Sequence, residues 1–102
     1  MIKLIRMKSG EDVVGEITKE NEEFIDVKDP AALMPMSGGD NNAVQMGMVP
    51  WQPFSRSKEF TVSRSWVVTI SEPAQDIEDN YRRVYGSGIE VSPMMGKKLL
   101  LS

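Results

Sequence analysis

The stretch Met7-Lys8-Ser9-Gly10-Glu11-Asp12-Val13-Val14-Gly15-Glu16-Ile17 restricts the architectures open to this chain more than any other. Two apolar-patterned arms flank a Ser-Gly-Glu-Asp turn, the pattern of a β-hairpin. In the second arm Val13, Gly15 and Ile17 fall on one face and Val14, Glu16 and Thr18 on the other, so a glycine interrupts the apolar row. A glycine there marks a bend. Without a Cβ the strand coils sharply and another backbone comes close, as the second strand of a small barrel requires.

The flanking sequence extends this reading. Ile2 to Met7 alternates apolar residues with Lys3 and Arg6, and the parity of Ile5 and Met7 matches that of Val13, Gly15 and Ile17, predicting one shared core face. Lys19 to Glu23 reads as a charged turn, and Phe24 to Lys28 as a strand that Asp29-Pro30 ends or bends. Ala31 to Met36 continues it as an edge segment. Ser37 to Asn42 is expected to be an exposed, mobile loop, and Ala43 to Val49 a strand. The stiff Pro50-Trp51-Gln52-Pro53-Phe54 holds out Trp51 and Phe54, either to cover a barrel edge or to anchor a partner.

Phe60 to Val62 and Trp66 to Ile70 are β-branched and aromatic strand segments separated by Ser63-Arg64-Ser65, with Trp66 expected in the core. Ser71-Glu72-Pro73 predicts a helix start capped by Ser71 or Glu72. Ala74, Ile77, Tyr81 and Val84 recur at helical spacing, and Gly86 is the stop. This helix is expected across one mouth of the barrel. The predicted fold is mainly β: a strongly bent five-stranded barrel with one C-terminal α-helix over 1–86, a long loop or insertion region at 31–58, and a tail over 87–102. The tail ends in Leu99-Leu100-Leu101, which either frays or pairs with a neighbouring chain's edge.

At 102 residues the chain has room for one modest core. It has no apolar run of membrane-spanning length, and Met1 to Ile5 reads as a native start and first strand, without the pattern of a signal peptide. With no cysteine and no histidine, disulfides, thiolate nucleophiles, structural zinc and imidazole acid/base chemistry all drop out. Glycine-rich phosphate loops and nucleophile elbows are absent too, and eight acids face two lysines between Glu11 and Asp29 at turn positions that favour solvation. No catalysis, metal or cofactor is expected. A net charge of −3 disfavours charge-driven coating of nucleic acid, so any such site must be local.

Met7, Gly10, Val13, Gly15 and Ile17, followed by Asn21, Phe24 and Ile25, and later Ser63-Arg64-Ser65 with Val67, Val68 and Ile70, resemble the two motifs of the Sm-like family of small RNA-associated barrels. The resemblance spans residues 1 to about 70, leaves 31–58 unmatched, and extends to small Sm-like proteins of certain cyanobacterial phages. It implies a closed homo-oligomeric ring of phage origin that acts in the cytoplasm, the host's if the chain is viral, in RNA metabolism or regulation. By that resemblance Arg64, Asn21 and Asp26 contact single-stranded RNA, with Ser65 and Trp66 beside them. The chain departs from the family by placing its helix at the C-terminal end. At the base-contacting turn Asn21, Glu23 and Ile25 stand where the family has Asp, an aromatic or His, and Asn. Arg64 has a second use open to it, an ion pair with the abundant acids. A structural or adaptor ring with a protein partner is the alternative function, with Trp51, Phe54, Leu99 and Leu101 as interface anchors.

Overall fold

In the computed structural model, which describes residues 1–37 and 44–86, the sequence alternation becomes six antiparallel strands and one helix. These are β1 (Ile2–Met7), β2 (Asp12–Glu20), β3 (Phe24–Ser37), β4 (Val44–Pro50), β5 (Glu59–Ser63), β6 (Val67–Ser71) and α1 (Gln75–Tyr85). The sheet runs β4-β3-β2-β1-β6, and β5 pairs with β3 off that path. The β1–β2 hairpin sets Ile5 opposite Val13 and Lys3 opposite Gly15. Gly10 supplies its turn at φ 104°, a conformation that side chains with a Cβ rarely adopt.

The bend lies where Gly15 faces the Asp29-Pro30 step. Val14 pairs with Ala31, but Glu16 pairs with Lys28, so β3 carries an extra residue there, a β-bulge. Asp29 adopts φ 49°, which aspartate tolerates better than most residues. The bulge's backbone groups are satisfied from outside β2: Asp29 N–H donates to the Lys58 carbonyl at 2.7 Å, and Trp51 N–H to the Pro30 carbonyl at 2.9 Å. A Cβ on residue 15 would stand 2.5 Å from Val27 Cγ1, 3.2 Å from Pro30 Cα and 3.3 Å from the Lys28 carbonyl oxygen. Only glycine lets β2 lie against the bulge.

Asp29-Pro30 therefore bends β3 without ending it. The first half of β3 pairs with β5, from Phe24 opposite Ser63 to Lys28 opposite Glu59, and the second half with β4, from Ala31 opposite Pro50 to Ser37 opposite Val44. The region 31–58, expected as a loop or insertion, holds the second half of β3 and all of β4. The sheet thus has six strands where the pattern predicted five.

Two apolar clusters form on opposite faces of the curved sheet. Ile5, Met7, Val13, Ile25, Val27 and Val62 fill the concave side, with Ile17, Trp51, Val67 and Ile70 packed against them. Each fully buried aliphatic side chain here contributes roughly 1.5–3 kcal/mol. β5 and β6 are not paired with each other; a 3-10 turn at Arg64–Trp66 joins them, so the barrel is strongly curved but open along this seam.

The second cluster, Val14, Ala31 and Tyr81 with Ile2, Leu33, Met48, Ile77 and Tyr85, corrects the position expected for α1. The helix packs on the convex face of β2, β3 and β4 and does not cross the barrel mouth, because the even-numbered residues of the hairpin and their partners form a second apolar face. Ile77, Tyr81 and Tyr85 meet it at successive helical turns. The expected cap is also displaced: Ser71 is still in β6, opposite Leu4, and α1 starts after Ala74 with no side-chain cap. Asp76 and Glu78 at its first turn and Arg82 and Arg83 at its last suit the helix dipole. No helix among the described residues is long and apolar enough to cross a membrane. The expected loop beyond Ser37, the tail, and its Leu99 and Leu101 lie outside the described residues.

Candidate nucleic-acid interface

Two turns far apart in sequence meet at one end of the barrel. Asn21 builds the first: its Oδ1 accepts from the backbone N–H of Glu23 at 2.7 Å and of Phe24 at 2.9 Å, and its own N–H donates to the Phe24 carbonyl at 3.0 Å. This Asx turn explains an asparagine in a run of acids. Arg64 opens the second turn and docks on the first. Its backbone N–H donates to the Glu23 carbonyl at 2.9 Å, its Nε to the Asn21 carbonyl at 2.9 Å, and its Nη2 to Glu20 Oε1 at 3.2 Å. The ion pair left open by the sequence is formed within the chain, with Glu20. The guanidinium stays partly exposed, and Nε and Nη2 are only part of its five-donor fork. Glu20, Glu22 and Glu23 share this end with Arg64 and Lys19, so carboxylates outnumber cations.

The remaining expected RNA contacts divide between two other places. Asp26 is on β3, where its Oδ1 accepts from Thr61 Oγ1 on β5 at 2.7 Å, a cross-strand tie apart from the Arg64 turn. Ser65 Oγ lies 2.8 Å from Ser63 Oγ. Trp66, expected in the core, is 48% exposed with Lys8 Nζ 5.7 Å from the centroid of its ring. The 3-10 turn leaves it outside and hands the core position to Val67, one residue later. The cation–π contact is worth about 0.5–1 kcal/mol at such an exposed site.

A groove of about 370 Å³ follows the open seam, lined by Met7, Trp51, Phe60, Val62, Ser65 and Trp66 among others. Trp51 reaches it from beyond β4, packs edge-on to Phe60 with centroids 6.0 Å apart, and donates its Nε1–H to Glu11 Oε2 at 2.9 Å. Hydrogen bonds from Ser9 and then Trp51 hold the Glu11 carboxyl below the usual range. Phe54 is 100% exposed, separate from Trp51, and Val68 on β6 is 62% exposed. Sequence reading missed Glu11, Lys8 and Val68. Nothing in the local pattern marks the first two as parts of this groove, since the aromatic partners Trp51 and Trp66 lie far along the chain. The alternation of β6 slips at a register shift near Met7, which hides the outward position of Val68.

On the opposite side of the sheet, Tyr81 Oη donates toward the Lys28 carbonyl at 3.1 Å and the Asp29 carbonyl at 2.9 Å. Burial, and next the Asp29 charge, push the Tyr85 hydroxyl up to about 12. Among the described residues no group of three or more His, Cys, Asp or Glu is placed to hold a metal ion.

Compared with known protein families, residues 4–82 match the Sm-like domain. No curated protein matches the chain.

Proposed function

The chain belongs to the Sm-like family, and from that premise we propose that it is a non-catalytic, homo-oligomeric ring protein that binds single-stranded RNA. The observation that carries the RNA reading is the docking of Arg64 on the Asn21 turn, which gathers into one spot two turns 43 residues apart. In a ring the spot recurs once per subunit around the opening, where guanidinium groups bind phosphate or base edges well. Two edges that flank one seam support the ring: among the described residues β5 pairs only with β3 and β6 only with β1, so the β6 of one copy can extend the β5 of the next until the circle closes. The exposed Trp66 and Val68 beside the seam are then covered. Its setting on this reading is the cytoplasm, the host's if the chain is viral, in RNA metabolism or regulation.

Phosphate reaches Arg64 by displacing Glu20, so binding is an exchange of one anion for another and falls steeply with salt. A titration with short uridine- or adenine-rich RNA at low salt checks this. Arg64→Ala is expected to weaken binding at least tenfold, and Glu20→Gln to strengthen it by removing the competitor. No binding at low salt, or indifference to both substitutions, would sink the RNA reading.

A second reading, an adaptor ring with a protein partner, is favoured by one observation: Glu20, Glu22 and Glu23 crowd the only arginine of that turn and repel a phosphate backbone. Phe54, wholly exposed, is then one anchor and Trp51 in the groove another. Affinity capture with mass spectrometry separates the two readings, since RNA enrichment supports the first and a stoichiometric protein partner the second.

A further inference from the structure

β4 ends the sheet opposite β6. It is hydrogen-bonded to β3 alone, so its outer N–H and C=O groups have no strand partner among the described residues. Proteins guard such edges with charge, proline or bulges, because an open ladder recruits other strands. β4, Val-Gln-Met-Gly-Met-Val-Pro, has no charged residue; it runs against β3 without a register shift, and its proline stands at its last position. Among the described residues the only other uncharged strand is β6, an edge the proposed ring already uses.

The sequence of this edge is symmetric about its centre, Met46-Gly47-Met48. Register with β3 fixes the faces. Met48 opposite Leu33 and Met46 opposite Pro35 lie on the α1 side, and Gly47 opposite Met34 on the other. Met46 and Met34 are 50% and 47% exposed, so apolar side chains stand free on both faces of an edge that also lacks charge.

We propose that β4 pairs antiparallel with β4 of a second copy, about a two-fold axis at Gly47. That register places Met46 of each copy opposite Met48 of the other on one face, two apolar cross-strand pairs. On the other face glycine meets glycine. Strands lie about 4.8 Å apart, so the two Met34 backbones stand roughly 14 Å from each other, and their side chains reach over the glycines to touch. Met34 packs there because Gly47 leaves the space. The paired strands themselves carry no charge, and the contact is the same patch on both copies and closes at two. It joins ring to ring where rings form and chain to chain where they do not, so it stands apart from the RNA reading and from the seam.

The self-complementary order of Met46, Gly47 and Met48 favours a second copy over a foreign peptide. Two substitutions test it. Met46→Lys at this half-exposed position is expected to halve the particle mass in sedimentation or native mass spectrometry without lowering the melting temperature. Gly47→Cys, in a chain that has no cysteine, is expected to give an interchain disulfide on mild oxidation, since directly opposed residues have Cα atoms about 4.5–5.5 Å apart, within disulfide reach. Ser57→Cys, exposed and outside β4, sets the rate of chance collision. An unchanged mass in Met46→Lys overturns the proposal. So does linking by Gly47→Cys no faster than by Ser57→Cys, or a β4 edge that takes up another protein while the purified chain's own mass is indifferent to Met46→Lys.

Discussion

Gly15→Ala puts the bend of the barrel to a quantitative test. The added Cβ would lie 2.5 Å from Val27 Cγ1, and Pro30 Cα and the Lys28 carbonyl at 3.2 and 3.3 Å close off retreat on the backbone side. Val27 is 1% exposed and held among Ile5, Ile25 and Val62, so it cannot swing away either. Overpacking of this kind costs about 1–3 kcal/mol. Against it stands roughly 0.4–1 kcal/mol gained from stiffening the unfolded chain. The net loss is about 1–2 kcal/mol, which in a domain of this size lowers the melting temperature by roughly 5–15 °C. Thermal and urea unfolding followed by circular dichroism measure it. Gly10→Ala separates the two uses of glycine: nothing lies within 4 Å of its Cβ, so any loss there comes from the φ of 104°. Val27→Ala in the Gly15→Ala background frees the contested space, and the pair is expected to cost at least 0.5 kcal/mol less than the sum of the singles. Additive losses, or a Gly15→Ala protein as stable as the parent, refute the close-approach argument.

Three further outcomes follow from other contacts. Tyr81→Phe removes the hydroxyl whose single hydrogen is shared by the Lys28 and Asp29 carbonyls, and is expected to cost about 1 kcal/mol by chemical denaturation; no loss would mean these carbonyls are satisfied otherwise. Burial raises the Asp29 carboxyl above its ordinary range, so its folded form prefers the proton and its contribution to stability is full below the unfolded pKa and is lost as pH rises through the folded one. Asp29→Asn, which keeps a residue tolerant of φ 49°, is expected to raise the melting temperature at pH 7 relative to pH 4; an equal effect at both pH values contradicts the burial. Glu11 has the opposite sign: its lowered pKa supplies stability above the unfolded value that is lost as pH falls. Trp51→Phe removes one of its donors, so the stability gap from the parent should be widest at neutral pH and narrow below about pH 4; a gap independent of pH assigns Trp51 to packing alone.

The bend was legible because a glycine in an apolar row has few other uses, and the concave core followed from the parity of Ile5, Met7, Val13 and Ile17. The bend at Asp29-Pro30 and the continuation of β3 beyond it were readable too, but the second half was expected at an edge and lies between β2 and β4, because the bulge there is held by Trp51 and Lys58, residues whose arrival no local pattern foretells. For α1 the apolar stripe at Ile77 and Tyr81 was plain, but which surface it covers depends on Val14, Ala31 and Leu33 coming into register on the convex face. At the candidate site, Asn21 and Arg64 were chosen by resemblance to a family, and their hydrogen bond joins them in space. Trp66 was misplaced because a strand pattern cannot anticipate a 3-10 turn that shifts the inward position to Val67.

The pairing of β1 with both β2 and β6 bears on the order in which the chain folds. The β1–β2 hairpin joins near neighbours, with Ile5 opposite Val13, whereas the β1–β6 ladder sets the same Ile5 opposite Ile70. Closing that long loop costs entropy before any contact repays it, so the ladder belongs late on the pathway and the hairpin early. Weakening β6 should then leave the refolding rate nearly unchanged and speed unfolding, whereas weakening the hairpin slows refolding. The last strand to join is thus the one that decides how long the curved sheet stays folded.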